Sequence, residues 1–435
     1  MRRHLLNPAR LISTRPVLAA WLPALAVTLL GTFVTLATVT DGFAQAAANR
    51  DYTQWRGERR DGSAAAFVEP QRWPERLALK WKVDVGEGYG TPILVGGRVY
   101  TLTRQGNDEV MAARNADTGA VIWETKYPAP HKIMTGASAH GQGPKSTPLF
   151  FDGRLYTLGI TGIVSCFNAA DGKLLWQKPA PPNETLYNNS AMSPIVDEGA
   201  VIFHVGGHDK GALTKFDAVT GAVKWAWDGD GPAYASPIIL TIGGTRQVVA
   251  MTQKNIVGVA ADTGKLLWQR PWVNQFHNHS ISPIPYRDLI IMSGYEMGVV
   301  AFRPVKQGDT WTTQTAWETK DVSMFMANPV LVGDTLYGLS QRNSGQYFSM
   351  DPKTGKILWL GKGRQATNTA IVKSNETLFL LNDDGQLHVA KSNPVGLEIV
   401  RTYTVAEAAT WAQPTISGNR LFVKDLKSLA LWTVN

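Results

Sequence analysis

Cysteine is almost missing from this chain, with Cys166 the single copy in 435 residues. One thiol cannot form an intramolecular disulfide, so the fold does not rest on oxidation, and no cysteine near the N-terminus is placed to carry a lipid. Amphipathic helical periodicity is wanting too; no such pattern survives two turns, which leaves strands as the alternative. Lys and Arg number 43 against 35 Asp and Glu, for a net charge of +8. They form no basic tract and no basic strand interleaved with aromatics, so no nucleic acid is expected as partner. A nucleophile elbow, a phosphate-cradling glycine loop and a motif-placed carboxylate pair are all absent, so hydrolase and kinase chemistry have no support and no catalytic residue is assigned.

Turn formers and tryptophan are abundant, with 41 Gly, 24 Pro and 15 Trp, and they recur in register. An Asp/Asn-x-x-Thr-Gly phrase with Trp four residues after the Gly runs from Asn115 to Trp123, Asp217 to Trp225 and Asp351 to Trp359. Variants end at Trp176 and Trp268, and Gly396 with Val400 is a worn copy. Trp81 and Trp317 complete a ladder whose steps are 41 to 53 residues, a period that implies a propeller or a solenoid. A second phrase, a small polar residue before Pro and an apolar run, keeps step at Thr91, Thr147, Ser193, Ser236, Ser282, Asn328, Asn368 (Pro lost) and Gln413. The count is eight units.

Each unit reads as four short strands joined by Gly/Asp turns, which supply the positive φ of tight hairpins. A stack of such sheets would leave raw ends, whereas a ring would not. The last unit lacks its outer strand, and Leu79 to Val85 supplies one with Trp81 in register. The expectation is an all-β, eight-bladed propeller of four-stranded antiparallel blades over 79–435, closed by N- and C-terminal strands pairing in blade eight. Trp81, Trp123, Trp176, Trp225, Trp268, Trp317 and Trp359 are assigned to blade docking, since large aromatics dominate burial.

Residues 1–44 differ in kind. Arg2, Arg3, Arg10 and Arg15 precede an uncharged stretch and then small residues at signal-peptidase spacing. They read as an export signal, with an uncleaved membrane anchor as the alternative. Residues 45–78 form an N-terminal extension. A periplasmic or secreted monomer is expected, or one anchored to the inner membrane and facing the periplasm.

The repeated Asp-x-x-Thr-Gly-x-x-x-Trp phrase resembles that of the pyrroloquinoline-quinone (PQQ) type propellers, and Trp55-Arg56-Gly57 with Arg60-Asp61-Gly62 resembles an extension of their exported members. Two classes share that fold. Quinoprotein alcohol and sugar dehydrogenases hold PQQ on Ca²⁺ over the axis, beside a disulfide that this chain cannot make. The propeller subunit of outer-membrane β-barrel assembly is a non-catalytic scaffold, usually a lipoprotein. The resemblance implies an envelope binding module without a cofactor, with PQQ and calcium as the alternative; Asp228-x-Asp230-Gly231 echoes a calcium loop without its later Glu, which makes Asp230 the weak metal candidate.

Connections between an outer strand and the next inner strand must gather on one face of the ring. The long one, Trp123 to Pro148, carries Lys126, His131, Lys132, His140 and Lys145 with no carboxylate between Glu124 and Asp152. Such a loop on a rigid scaffold favours an anion or an acidic partner surface. Tyr89, His140, Lys145, Asn189, Tyr234, His279, Asn368 and Trp411 are the candidates for lining the axial funnel, for an envelope protein or a small anionic ligand. His277 and His279 are expected to share one strand face, too few for a zinc site.

Overall fold

The computed structural model describes residues 51–133, 138, 140–181 and 189–434; the segment assigned to export lies outside them. Among the described residues, thirty-two strands form eight four-stranded antiparallel sheets. Blade 1 comprises Ile93–Val95, Arg98–Gln105, Asp108–Asn115 and Val121–Pro128, counted from the axis outwards, and the later blades follow in chain order. Blade 8 takes Thr415–Ser417, Arg420–Lys424 and Ser428–Thr433, then Ala78–Asp84 as its outer strand, with Trp81 opposite Leu431. N- and C-terminal strands thus close the ring within one sheet.

Middle strands are buried on both faces because each blade is covered by two neighbours. Leu289–Gly294 is buried at every position, while in the outer strand Val223–Trp227 only Trp225 is fully covered. The described residues form eight apolar clusters, one for each interface between neighbouring blades.

The local chemistry explains the repeated phrase. Asp217 Oδ1 accepts the Val219 and Thr220 amides at 3.1 and 2.9 Å and the Thr220 hydroxyl at 3.0 Å. Gly221 follows at φ 68°, a conformation that glycine adopts without strain. A side chain there would also collide with the Trp176 ring of the preceding blade, since a Cβ on Gly221 would stand 2.7 Å from the indole. The indoles of five of the ladder Trp donate one blade onward. Trp81 reaches the Ala116 carbonyl at 3.1 Å, Trp123 reaches Ala169 at 3.2 Å, Trp176 reaches Ala218 at 3.2 Å, Trp225 reaches Ala261 at 3.0 Å and Trp317 reaches Pro352 at 3.1 Å. Trp268 and Trp359 face blades 5 and 7, which lack the Thr-Gly turn. Trp268 instead donates to Gln247 Oε1 of its own blade at 2.7 Å and meets Phe302 of blade 5 edge-on at 5.8 Å. Trp359 packs against the apolar cluster between blades 6 and 7.

The small residue before each Pro has a role that the sequence alone does not reveal. The Thr91 amide donates to Thr147 Oγ1 at 3.1 Å, Thr147 to Ser193 Oγ at 3.0 Å, Ser193 to Ser236 Oγ at 2.9 Å, Ser236 to Ser282 Oγ at 2.9 Å, and Ser282 to Asn328 Oδ1 at 2.9 Å. These bonds lace blades 1 to 6 around the axis. The following Pro brings no amide that would need a partner there. Ser236→Ala strips the Ser193 amide of its acceptor in a buried place and is expected to lower stability by about 1–3 kcal/mol. Equilibrium unfolding in urea measures it; a parental midpoint would show that the lacing is incidental.

The N-terminal extension is not a loose tail. Tyr52 pairs with Leu94 of blade 1, and Thr53 accepts the Phe150 amide of blade 2. Arg60 donates to the Ser193 and Pro194 carbonyls at 3.2 and 2.8 Å, and Arg56 to those of Asn328 and Pro329 at 3.2 and 2.5 Å. Asp61 pairs with Lys373 at 3.1 Å, and Ala65 bridges Ser417 of blade 8. Residues 52–65 therefore lie across one mouth of the central channel.

Candidate functional site

At the other mouth, before the inner strands begin, lies a funnel of about 200 Å³. Tyr89, Lys145, Tyr234, Trp411, His140 and Asn368 line it, six of the eight residues expected from the sequence. Asn189 and His279 do not. Both are interior, exposed by 2% and 0%. An extended chain turns the same face toward the axis at every second residue. The lining position is two residues before the one that precedes Pro, which selects Tyr89, Lys145, Tyr234, Met326 and Trp411, and in blades 3 and 5 Ala191 and Ser280. His279 is one residue out of that register and points into the wall, where its carbonyl accepts the Tyr234 and Ala235 amides at 3.0 and 3.1 Å. Asn189 has φ 63°, so the extended alternation does not reach it. Phe325 and Asn278, the other lining residues, carry no repeat signal.

The long loop contributes less charge to the funnel than its composition implied. Lys126 belongs to the outer strand Val121–Pro128 and donates to Gln105 Oε1 at 2.8 Å, away from the axis. Lys132 is exposed. Lys145 and His140 do reach the funnel. The Pro144 carbonyl accepts the Tyr89 amide at 2.8 Å, which fixes Lys145 beside Tyr89, and the His140 ring meets Trp411 edge-on at 4.6 Å. Burial pushes the Lys145 ammonium down to about 8. His140 lies below the usual imidazole range, first through burial and then through the charge of Lys145. Burial raises Tyr89 to about 12, helped by Asp425 and Glu87, so its hydroxyl stays a donor at neutral pH. Among the described residues no carboxylate lines the funnel. The arrangement offers one cation, hydroxyl and amide donors, and aromatic faces, a set that accepts negative charge next to a flat or apolar group.

The donor set does not fit calcium-held PQQ. Calcium takes six to eight oxygen ligands, carboxylates among them. Asp230 is 7% exposed and committed to the protein. Its Oδ2 accepts Thr252 Oγ1 at 2.5 Å, the Lys254 amide at 2.9 Å and Asn255 Nδ2 at 3.1 Å, which caps the turn at 252–255. Among the described residues no three His, Cys, Asp or Glu groups come together as a metal set. His277 and His279 share no strand; His277 sits in a turn at φ 50°, its amide bound to the Asn274 carbonyl at 3.3 Å. His204 stands on Ala200–Gly207 and His208 follows in the hairpin turn.

Over residues 106–361, well over half of the chain, the sequence matches the family of the outer membrane protein assembly factor BamB. The protein of that name from Shewanella oneidensis is 24% identical over 378 residues, which cover 84% of this chain and 80% of the relative. The dehydrogenase subunit of the quinone alcohol dehydrogenase of Komagataeibacter europaeus is 29% identical over 160 residues, 34% of this chain, so that the chain spans only 21% of that relative's length. Among solved structures, BamB from Moraxella catarrhalis has a TM-score of 0.60 at 15% identity, covering 82% of this chain and 99% of that one. The quinohemoprotein alcohol dehydrogenase from Comamonas testosteroni has a TM-score of 0.52 at 13% identity, covering 90% and 81%. Those two likenesses establish the fold alone, which both functional classes share. The chain belongs to the family of the outer membrane protein assembly factor BamB, built on an eight-bladed propeller of the PQQ-repeat type.

Proposed function

We propose that this propeller is a non-catalytic binding module of the cell envelope whose funnel takes an acidic segment of a partner protein. The observation that carries the reading is the funnel lining, in which Lys145 and His140 stand among Tyr89, Tyr234, Phe325 and Trp411 with no carboxylate among the described residues. Family membership supports the envelope setting, and the relatives' name points to a partner within outer-membrane protein assembly. In this reading residues 1–44 direct export, the propeller works as a monomer, and no cofactor is needed.

The competing quinoprotein reading draws on the dehydrogenase relatives. Titrating the purified full chain with PQQ in the presence of Ca²⁺, followed by calorimetry, separates the two. No saturable heat is expected. Binding at one site per chain would reverse the reading and call for an alcohol and sugar oxidation screen.

A further inference from the structure

A cavity lies on the side of the channel opposite the funnel. It measures about 450 Å³, within the size range of small-molecule sites. Its wall and its lid differ in chemistry. The wall is branched aliphatic, formed by Ile195, Ile239, Leu240, Ile284 and Leu331 of the inner strands of blades 3 to 6, and most of these side chains are only half-buried. The lid is the segment Gln54 to Asp61, which carries Arg56, Arg59 and Arg60, and Arg246 and Lys373 add two more cations at the rim. Glu58 and Asp61 are the lining carboxylates, and Asp61 is already shared between Arg59 at 3.5 Å and Lys373 at 3.1 Å. Arg246 is held by Asp197 outside the lining at 2.7 Å.

Among the described residues, Arg56 and Arg60 have no carboxylate of their own. Both stack on Trp55, 5.5 and 5.4 Å from its centroid, and their hydrogen bonds go to neutral acceptors: Arg60 to Gln54 Oε1, Ser193 and Pro194, and Arg56 to Asn328 and Pro329. Arg60 Nε is buried without a hydrogen-bond partner among the described residues. Burial, and then the charge of Arg56, pulls Arg60 down to about 9. Buried charge is normally compensated, and here the surplus is positive beside an apolar wall.

We propose that this cavity is a second binding site, separate from the funnel, for a small anionic amphiphile: a medium-chain alkyl carboxylate, its head at the lid arginines and its chain along the aliphatic wall. A branched aliphatic wall suits an alkyl chain, and the guanidinium fork suits a carboxylate.

The test is calorimetric titration of the full chain with decanoate below its micellar concentration, with decanol and acetate as controls for chain and head. Decanoate binds at one site per chain, decanol at least ten-fold more weakly, and acetate not measurably. Arg59→Glu, which reverses an exposed charge at the rim, and Ile239→Asp, which puts a carboxylate on the wall, each weaken decanoate at least five-fold, whereas Lys145→Gln in the funnel leaves it unchanged. If Ile239→Asp does not fold, Arg59→Glu decides alone. Absence of binding, uptake at many sites, equal affinity for decanol, or indifference to Arg59→Glu would each overturn the proposal.

Discussion

Trp268→Ala is expected to destabilise the protein by about 3 to 5 kcal/mol, the range for removing a buried aromatic from a core. The ring is 3% exposed and belongs to the cluster that joins blades 4 and 5, where it meets Phe302. Its loss also strips Gln247 Oε1, itself fully buried, of its donor. The second effect sets this position apart from Trp225, whose indole bonds a backbone carbonyl of the next blade. Trp268→Phe should therefore recover packing and still leave the glutamine unpaired, so it is expected to fall between parent and alanine variant. Urea unfolding followed by tryptophan fluorescence and circular dichroism measures all three. An alanine variant with the parental midpoint would remove Trp268 from the contacts that join blades 4 and 5.

The largest functional effect is expected from Lys145→Glu. The change puts a carboxylate where the funnel offers its ammonium, next to His140, and leaves the blades untouched. Truncating one side of a buried charge pair costs about 2 to 5 kcal/mol in binding, so partner affinity should fall by at least about thirty-fold. Acidity gives an independent check. With Lys145 pushed down to about 8, the free funnel loses positive charge as pH rises through that value, and retention of an acidic partner weakens there. His140 is held below the ordinary imidazole range by burial and by the charge of Lys145, so its protonation adds charge, and retention strengthens, only below that range. Biolayer interferometry of the immobilised full chain against envelope extract from about pH 5.5 to 9 would follow the Lys145 step. A flat profile with undiminished retention by Lys145→Glu would take the basic group out of recognition.

How far such a site can be read from sequence depends on which constraints repeat. The fold was legible because the Thr-Gly turn and the Trp recur wherever one blade must cap the next, and the closing strand at Ala78–Asp84 followed from the unit that lacked one. Where blades 5 and 7 lack the turn, the ladder still marks a Trp but no longer says what it bonds; Gln247 carries no repeat signal. The funnel was legible to within the register of one strand. Tyr89, Lys145, Tyr234 and Trp411 stand two residues before the Thr, Ser or Gln that precedes Pro, whereas His279 is one residue off that register and Asn189 lies beyond the extended run. The role of the small residues before Pro was hidden for another reason. A hydroxyl that accepts an amide from the preceding blade looks, in sequence, like any other turn residue. The plug formed by residues 52–65 was hidden too, because its arginines bond backbone carbonyls, which leave no trace in side-chain identity.

The most direct test of the funnel as the binding face places a photo-crosslinking phenylalanine analogue at Tyr234, which lines it, and irradiates cells that express the full chain. The expected result is a crosslink to an acidic segment of an envelope protein, lost when Lys145→Glu is added. A funnel that crosslinks to nothing, while the same analogue at the exposed Val223 on the outer strand captures the partner, would contradict it.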